Sequence, residues 1–299
     1  MAKPRELRRR IRSVENTRKI TRTMEMVATS KLKRAQDRVV AARPYANALA
    51  EVLGELYAPD LAERFALLRQ PGKAGVRRVA LLLITSNRGL CGAFNANLIR
   101  EARRRLADLE GHGATVDLHL IGRKGINFFR FQKRAAVTQR ADVGDRPTGE
   151  HAAALMAPLI TQFEQGEIDA VEVVFAKFNS PVSTPPTALR ILPVTPPQAV
   201  GGPKGLPDGR GQGRNYILRP SAGEILERLL PLYVTNQMYR ALVETAAGEH
   251  GARRTAMKNA TDAAGDMLDV LRRTFNRARQ GQITQELSEI VGGAEALQG

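Results

Sequence analysis

The stretch on which the fold turns is Leu32-Lys-Arg-Ala35-Gln-Asp-Arg-Val39-Val-Ala-Ala42-Arg-Pro44-Tyr-Ala46-Asn-Ala-Leu49-Ala-Glu-Val-Leu53-Gly-Glu-Leu56. Its apolar residues Leu32, Ala35, Val39, Ala42, Ala46, Leu49, Leu53 and Leu56 advance in alternating steps of three and four. That is a heptad seam, the pattern of a helix lying along another helix. Toward the N-terminus, Leu7, Ile11 and Val14 keep the same steps, as do Ile20, Met24 and Val27. Pro44 removes one backbone donor, which predicts a kink and not a stop. Unbroken from Lys3 to Tyr57, such a helix would span about 80 Å at 1.5 Å per residue, more than the width of a compact domain of this size.

The far end of the chain carries a matching pattern. Pro231 is suited to open a helix at its first position, and no later proline interrupts the chain. Met257, Ala260, Ala264, Met267, Leu271, Thr274 and Ala278 again step by three and four, and Ile283, Leu287 and Ile290 continue them. Small residues dominate this seam, so a partner helix can approach closely. Two heptad ends around a compact middle predict an antiparallel coiled coil made by the chain with itself. The last stretch, Leu287 to Leu297, turns apolar again after the almost wholly polar run Asn276 to Glu286. It calls either for a receptacle outside the chain or for packing on its own partner helix.

Between the ends, strand and helix signals alternate. Val79-Ala-Leu-Leu-Leu-Ile84 reads as a strand buried on both faces, and Val116–Ile121 and Val171–Phe175 as two more, with Ala188–Val194 as a candidate fourth. Helical patterns cover Asn95–Leu109 and Glu150–Phe163. This order predicts a Rossmann-like α/β layer with a largely parallel sheet. The expected fold is therefore a long two-helix coiled coil from the termini plus a central α/β domain. The corresponding division is 1–57 for the first helix, 76–194 for the α/β domain, 195–220 for a Pro/Gly-rich loop and 221–299 for the closing helices.

Composition narrows the function classes. Of 299 residues, 46 are Lys or Arg and 30 Asp or Glu, a net charge of +16. Hydrophobic residues make up 43%, too many for a disordered polyelectrolyte. No apolar run is longer than that of Val79 to Ile84, far below the roughly 18 residues a membrane span needs. The single cysteine, Cys91, excludes an internal disulfide framework and a Cys-cluster zinc site. The opening Met-Ala-Lys-Pro-Arg has no apolar core of a secretory signal, so none is expected. Residues 1–43 hold 14 Lys/Arg against Glu6, Glu15, Glu25 and Asp37, too lopsided for i,i+4 ion pairs to neutralise. Such a stretch seeks a polyanion: nucleic acid, an anionic lipid surface or an acidic protein.

Candidate chemistry centres on Thr85-Ser-Asn-Arg-Gly-Leu-Cys-Gly-Ala-Phe-Asn95, a glycine-bearing loop between a strand and a helix. Phosphate sites of α/β folds sit in such loops, but neither G-x-G-x-x-G nor the P-loop spacing is present here or elsewhere. Cys91 has no recognisable Cys/His arrangement around it, which favours a structural thiol. The histidines His112, His119, His151 and His250 match no metal-ligand spacing. No catalytic, cofactor or metal site is therefore expected. A basic coiled-coil nucleic-acid-binding protein remains the rival from another class. It leaves the apolar chain end unexplained, and no stacking aromatics lie among the arginines.

At this point a resemblance enters. Ile11-Arg-Ser-Val-Glu-Asn-Thr-Arg-Lys-Ile-Thr21, Met24-Glu-Met-Val-Ala28, Ser30-Lys-Leu32, Ser86–Asn95, Glu249–Met257, Asn259-Ala-Thr-Asp262 and Asn276–Leu297 together resemble the γ subunit of F-type ATP synthases. The likeness runs end to end, specific at both termini and around Gly89-Leu-Cys-Gly92, weak over 107–215. It implies a rotor shaft without catalysis of its own, inside a ring of α and β subunits, with the body against the ε subunit and the c-ring. Residue by residue, it implies that Arg279 and Gln280 engage a loop of one β subunit. Arg88 and the basic N-terminal helix would face an acidic lever of β, with Met24 near the same lever. Leu287, Ile290 and Val291 fall in the tip held by the bearing of the ring. Departures are Asn87 for a usual Asp, Arg254 for Met, Arg219 for Glu and Ala263 for Asn, and the segment after Pro193 looks particular to this chain. A regulatory cysteine pair is missing. With no transit segment read at the start, a bacterial protein at the cytoplasmic face of the membrane is expected.

Overall fold

The computed structural model describes residues 4–56, 64–70, 76–195 and 222–298. In chain order these form helix α1 (Pro4–Leu56), a 3-10 turn (Ala66–Leu68), β1 (Arg78–Ile84), α2 (Phe94–Gly111), β2 (Thr115–Ile121), α3 (Arg123–Phe131), β3 (Thr138–Arg140), α4 (Gly149–Glu164), β4 (Ala170–Ala176), β5 (Pro186–Leu192) and α5 (Ala222–Gln298). They gather into two units, one of Met1–Ser30 with Arg253–Gly299, the other of Lys31–Ala252. Arg219 and the Pro/Gly-rich segment from residue 196 onward lie outside the described residues.

The larger unit is built on a five-stranded sheet of order β3-β2-β1-β4-β5. All neighbours are parallel except β4 and β5, which pair antiparallel. β1 is buried from Val79 to Ile84 because the sheet is covered on both faces. Ala80, Leu82 and Ile84 enter a core with Met156, Leu159 and Phe163 of α4, Leu53 of α1 and Leu226, Leu230 and Val234 of α5. Leu81 and Leu83, pointing the other way, meet Phe94, Leu98 and Ala102 of α2 and Ile126 and Phe129 of α3. Period-two alternation thus places a continuous apolar run in two cores at once.

The helix α4 begins at a reciprocal cap. Thr148 Oγ1 accepts from the His151 amide at 3.3 Å, and the Thr148 amide donates to His151 Nδ1 at 3.1 Å. The histidine takes the place that Glu or Gln has in the usual capping box. Within the same unit, α1 continues through Pro44. Its residues Leu32, Ala35 and Val39 cluster with Val243 and Ala247 of α5 and with Phe178.

Three expectations need correction. Pro231 lies inside α5, which starts at Ala222. The amide that it lacks would bond the carbonyl of Glu227, a residue exposed to water, so that carbonyl has an alternative partner. The sequence reading also passed over α3 and β3. The first is nine residues opening at Gly122-Arg-Lys-Gly, which reads as a turn, with its apolar face carried by Ile126 and Phe129. The second has three residues on a sheet edge, too few for alternation to show. The third concerns the phase of the terminal seams and belongs with the site below.

Candidate functional site

In parallel sheets of this kind ligands enter where the strand order reverses, beyond the carboxyl ends of the strands. Here that point lies between β1 and β4, and the chain's own last helix fills it. The Thr245 hydroxyl accepts from the Ala176 amide at 3.3 Å, and Glu244 Oε2 accepts from the Phe178 amide at 2.9 Å. A Cβ on Gly248 would touch the Phe94 ring at 3.2 Å, and one on Gly251 would stand 2.7 Å from the Pro181 carbonyl oxygen. Helix α5 is packed as closely as its backbone permits.

The Ser86–Asn95 loop is closed on itself as well. The Ser86 amide donates to Asn95 Oδ1 at 3.0 Å, while Asn95 Nδ2 donates to Ser86 Oγ at 2.8 Å and lies 3.1 Å from the Cys91 sulfur. Cys91 is buried. Asn87 sends both amide hydrogens to backbone carbonyls, Ala141 and Val143, each at 3.0 Å, and accepts from the Arg123 amide at 3.0 Å. An aspartate in its place would lack both donors, so the departure noted at this position has a structural use in this chain. Arg88 stands exposed at the loop surface beside Leu90, which has φ of 62° and is itself exposed.

The smaller unit is a pair of antiparallel helices. Thr261 donates to Thr21 Oγ1 at 2.8 Å, Arg272 pairs with Glu15 at 2.9 Å, and the Arg8 guanidinium lies 5.6 Å from the centre of the Phe275 ring. As residue numbers fall along α1 they rise along α5, which fixes the direction. The buried stripe runs through Leu7, Thr21 and Ala28 on α1 and Met257, Thr261, Ala264 and Leu268 on α5.

Here the sequence reading had the period right and part of the phase wrong. Ile20, Val27 and Met267 are exposed, with Thr21, Ala28 and Leu268 buried one position on. Ala260 is half-buried and Thr274 exposed. An apolar residue on either flank of a seam satisfies the same step pattern. Only the partner selects the true stripe, and its Thr21–Thr261 pair was invisible to a search for apolar residues.

The predicted contact residues are distributed over both units. Met24 is half-buried on α1. Exposed side chains run from Arg279 through Gly293. Descending from the Arg8–Phe275 contact, the described start of α1 at Pro4 comes level with about residue 279. Beyond that point α5 has no partner helix among the described residues. Leu287 is 57% exposed, Ile290 68% and Val291 55%. For these three residues, the expectation that the apolar end packs on its own partner helix is overturned. On α1 the cations Arg5, Arg9, Arg12, Lys19 and Arg22 are exposed and make no ion pair among the described residues.

The family model described as ATP synthase matches residues 3–297. Over 299 residues the chain is 61% identical to the ATP synthase gamma chain of Gemmatimonas aurantiaca, with 100% of both chains covered. The chain belongs to the ATP synthase gamma-chain family. A further relative is the gamma chain of Desulfitobacterium hafniense, 44% identical over 300 residues with 100% of both chains covered. Among solved structures, one of the Euglena gracilis mitochondrial ATP synthase containing OSCP, F1 and c-ring has a chain that superposes with a TM-score of 0.67 at 20% identity. That match covers 98% of this chain and 94% of the other. A chain from the central stalk and c-ring of the Tetrahymena thermophila mitochondrial enzyme gives a TM-score of 0.58 at 22% identity, covering 81% and 99%. The shared fold is an α/β sheet domain with long terminal helices. Membership in the gamma-chain family displaces the nucleic-acid reading of the basic N-terminus. No helix of the described residues is long and apolar enough to cross a membrane.

Proposed function

We propose that this chain is the central rotor stalk of an F-type ATP synthase, coupling c-ring rotation driven by protons to ATP synthesis or hydrolysis in the ring of α and β subunits. Full-length membership in the gamma-chain family carries the reading. Its partners are the α and β subunits, the ε subunit and the c-ring, and its place is peripheral, at the cytoplasmic face of a bacterial membrane. The chain itself performs no catalytic step. Residues 1–57 and 221–299 are its shaft and 76–194 its body.

The physical requirement is a helical pair whose faces differ. Each β site has open and closed forms, and the face presented to it favours one. Turning the pair therefore shifts the binding equilibria of the sites in sequence, a coupling free energy delivered mechanically. The exposed cations of α1 supply attraction to acidic β levers, with Arg88 and Met24 facing the same lever. The exposed apolar residues Leu287, Ile290 and Val291 fit a bearing that withdraws them from water.

Arg8 lies over Phe275 and Arg38 donates to the Asp145 carbonyl, so reversing those two would also disturb this chain's own contacts. Arg9, Arg12 and Arg22 carry no such contact and make the cleaner test. With all three changed to Glu, we expect ATP-driven proton pumping by the reconstituted complex to fall about tenfold, a loss of about 1.4 kcal/mol of coupling. Unchanged pumping and assembly would overturn the electrostatic part of the reading. Arg279→Ala with Gln280→Ala removes the polar pair assigned to the β loop from a surface where neither packs on this chain. Steady-state ATP turnover is expected to drop about tenfold with subunit stoichiometry preserved; normal turnover would refute the assignment.

A further inference from the structure

The larger unit contains a cavity of about 320 Å³ that no contact so far explains. Its walls come from α1, from the start of the β4–β5 connection and from α5. Its polar lining is Arg43, Asn47, Lys177, Asn179, Asn236 and Arg240, with one carboxylate, Glu244. Glu244 is already neutralised: Oε1 accepts from Arg240 Nε at 2.6 Å and Oε2 from the Phe178 amide. Arg43 and Lys177 have no carboxylate partner among the described residues. Two uncompensated cations therefore face one concave space, whose floor is apolar and includes Val39, Phe178 and Val243.

Asn236 adds a neutral polar group to the same lining. It is only 9% exposed, it lines the cavity, and its side chain makes no hydrogen bond among the described residues. No side-chain nitrogen or oxygen sealed from water among the described residues lacks a hydrogen-bond partner, so the Asn236 amide is open to the cavity and can bond what enters it. The opening that Asn236 faces is the place where a partner for it can sit.

We infer that this cavity binds a small organic anion, its phosphate or carboxylate held between Arg43 and Lys177, its apolar body on Phe178 and Val243, and a polar group read by Asn236. A volume near the lower end of ligand pockets, an apolar floor and a few convergent polar groups are what such a site requires. Since the lining comes from three separate elements, occupancy ties α1, the strand connection and α5 together. Ligand binding is then linked to the stability of this unit. The inference does not depend on the rotor reading, and a failed coupling experiment leaves it standing.

The test is calorimetric titration of the full chain at 0.15 M salt with phenyl phosphate, benzoate, inorganic phosphate and benzyl alcohol. Phenyl phosphate or benzoate is expected to saturate a single site with a Kd of about 1 mM or below. Inorganic phosphate and benzyl alcohol, each lacking one half of the recognised chemistry, should bind at least about tenfold more weakly. Tighter phenyl phosphate assigns a phosphate ligand, and tighter benzoate a carboxylate; both support the site. Arg43→Gln with Lys177→Gln, both exposed positions, and separately Asn236→Leu, should each weaken binding at least about tenfold. Arg9→Gln with Arg12→Gln, outside the cavity, should leave it unchanged. The proposal is overturned by no saturable binding of either organic anion, by binding indifferent to the Arg43 and Lys177 changes, or by an equal loss in the Arg9 and Arg12 control.

Discussion

Gly122→Ala is expected to lower the stability of the folded chain by at least about 4 kcal/mol, or to prevent folding, as read by urea denaturation. Gly122 ends β2 and begins α3 with φ of 96° and ψ of 139°, a conformation that L side chains rarely adopt. A Cβ there would stand 2.1 Å from the Thr85 carbonyl oxygen and 2.7 Å from its carbon, both backbone atoms at the end of β1. Neither can retreat. The Thr85 amide donates to the Ile121 carbonyl at 2.8 Å, and Thr85 Oγ1 accepts from the Gly125 amide at 2.9 Å, so moving Thr85 breaks the junction of two parallel strands and a helix. Gly113 provides the control. Its φ is 83°, but a Cβ there meets nothing within 4 Å, so Gly113→Ala bears only the backbone strain, about 1–2 kcal/mol. Equal costs for the two substitutions would show that crowding at Thr85 is not the cause.

Much of this architecture could be read before any coordinates, for reasons visible in particular residues. β1 was plain because six successive apolar residues must be buried on both sides, which itself requires helices above and below. The terminal helices were plain because a heptad repeat persists over many turns, and errors of one position do not hide a period. What the sequence could not settle was phase, because choosing between Ile20 and Thr21, or between Met267 and Leu268, depends on the opposite helix. Hydrophobicity favours the wrong member of the first pair and is nearly silent on the second. β3 was out of reach for a different reason: its place at the edge follows from pairing of His119 with Thr138 and Ile121 with Arg140, a non-local fact with no local signature. The contact residues expected on the terminal helices rest on resemblance alone. Nothing in the composition of Arg279 or Gln280 distinguishes them from other solvated polar residues. The Arg43, Lys177 and Asn236 cavity was out of sight altogether, since its lining is brought together from positions far apart in the chain.

Glu172→Gln should destabilise the chain by about 3 kcal/mol at pH 7, with the loss shrinking as the solution is made acid. Glu172 lies in the middle of the buried strand β4, only 2% exposed. Burial alone pushes its carboxyl up. The hydrogen bonds from Arg105 and Arg190, with the attraction of their charges, outweigh burial and bring it below the ordinary value of 4.5. Arg105 is bidentate, Nε to Oε2 at 2.6 Å and Nη2 to Oε1 at 2.8 Å, and Arg190, opposite Glu172 on β5, gives Nε and Nη2 to Oε1 at 3.1 and 2.9 Å. A glutamine must turn its NH2 toward one of these guanidinium donors, leaving donor against donor in a dry site. Both arginines are about one-third exposed, which keeps the cost at the lower end of that for broken buried pairs. Because the carboxyl is depressed in the folded state, its stabilising contribution is complete above pH 4.5 and disappears as pH falls from there through the folded value. The difference between wild type and Glu172→Gln should therefore be constant from pH 7 to about 5.5 and narrow toward pH 3. His119, lowered by burial, weakens the fold as pH drops below 6.5, but it does so equally in both proteins and cancels in the comparison. A difference that stayed constant down to pH 3 would place the cost in packing and not in charge. Changing all three residues to apolar ones of similar volume should recover most of the loss, since the desolvation of the ions is then removed along with their attraction. The same strand pair leads into the Ala176 and Phe178 amides that hold α5 against the sheet. Loosening it should therefore reach the helix at the Thr245 and Glu244 contacts, detectable as faster hydrogen exchange of those two amides in Glu172→Gln than in wild type.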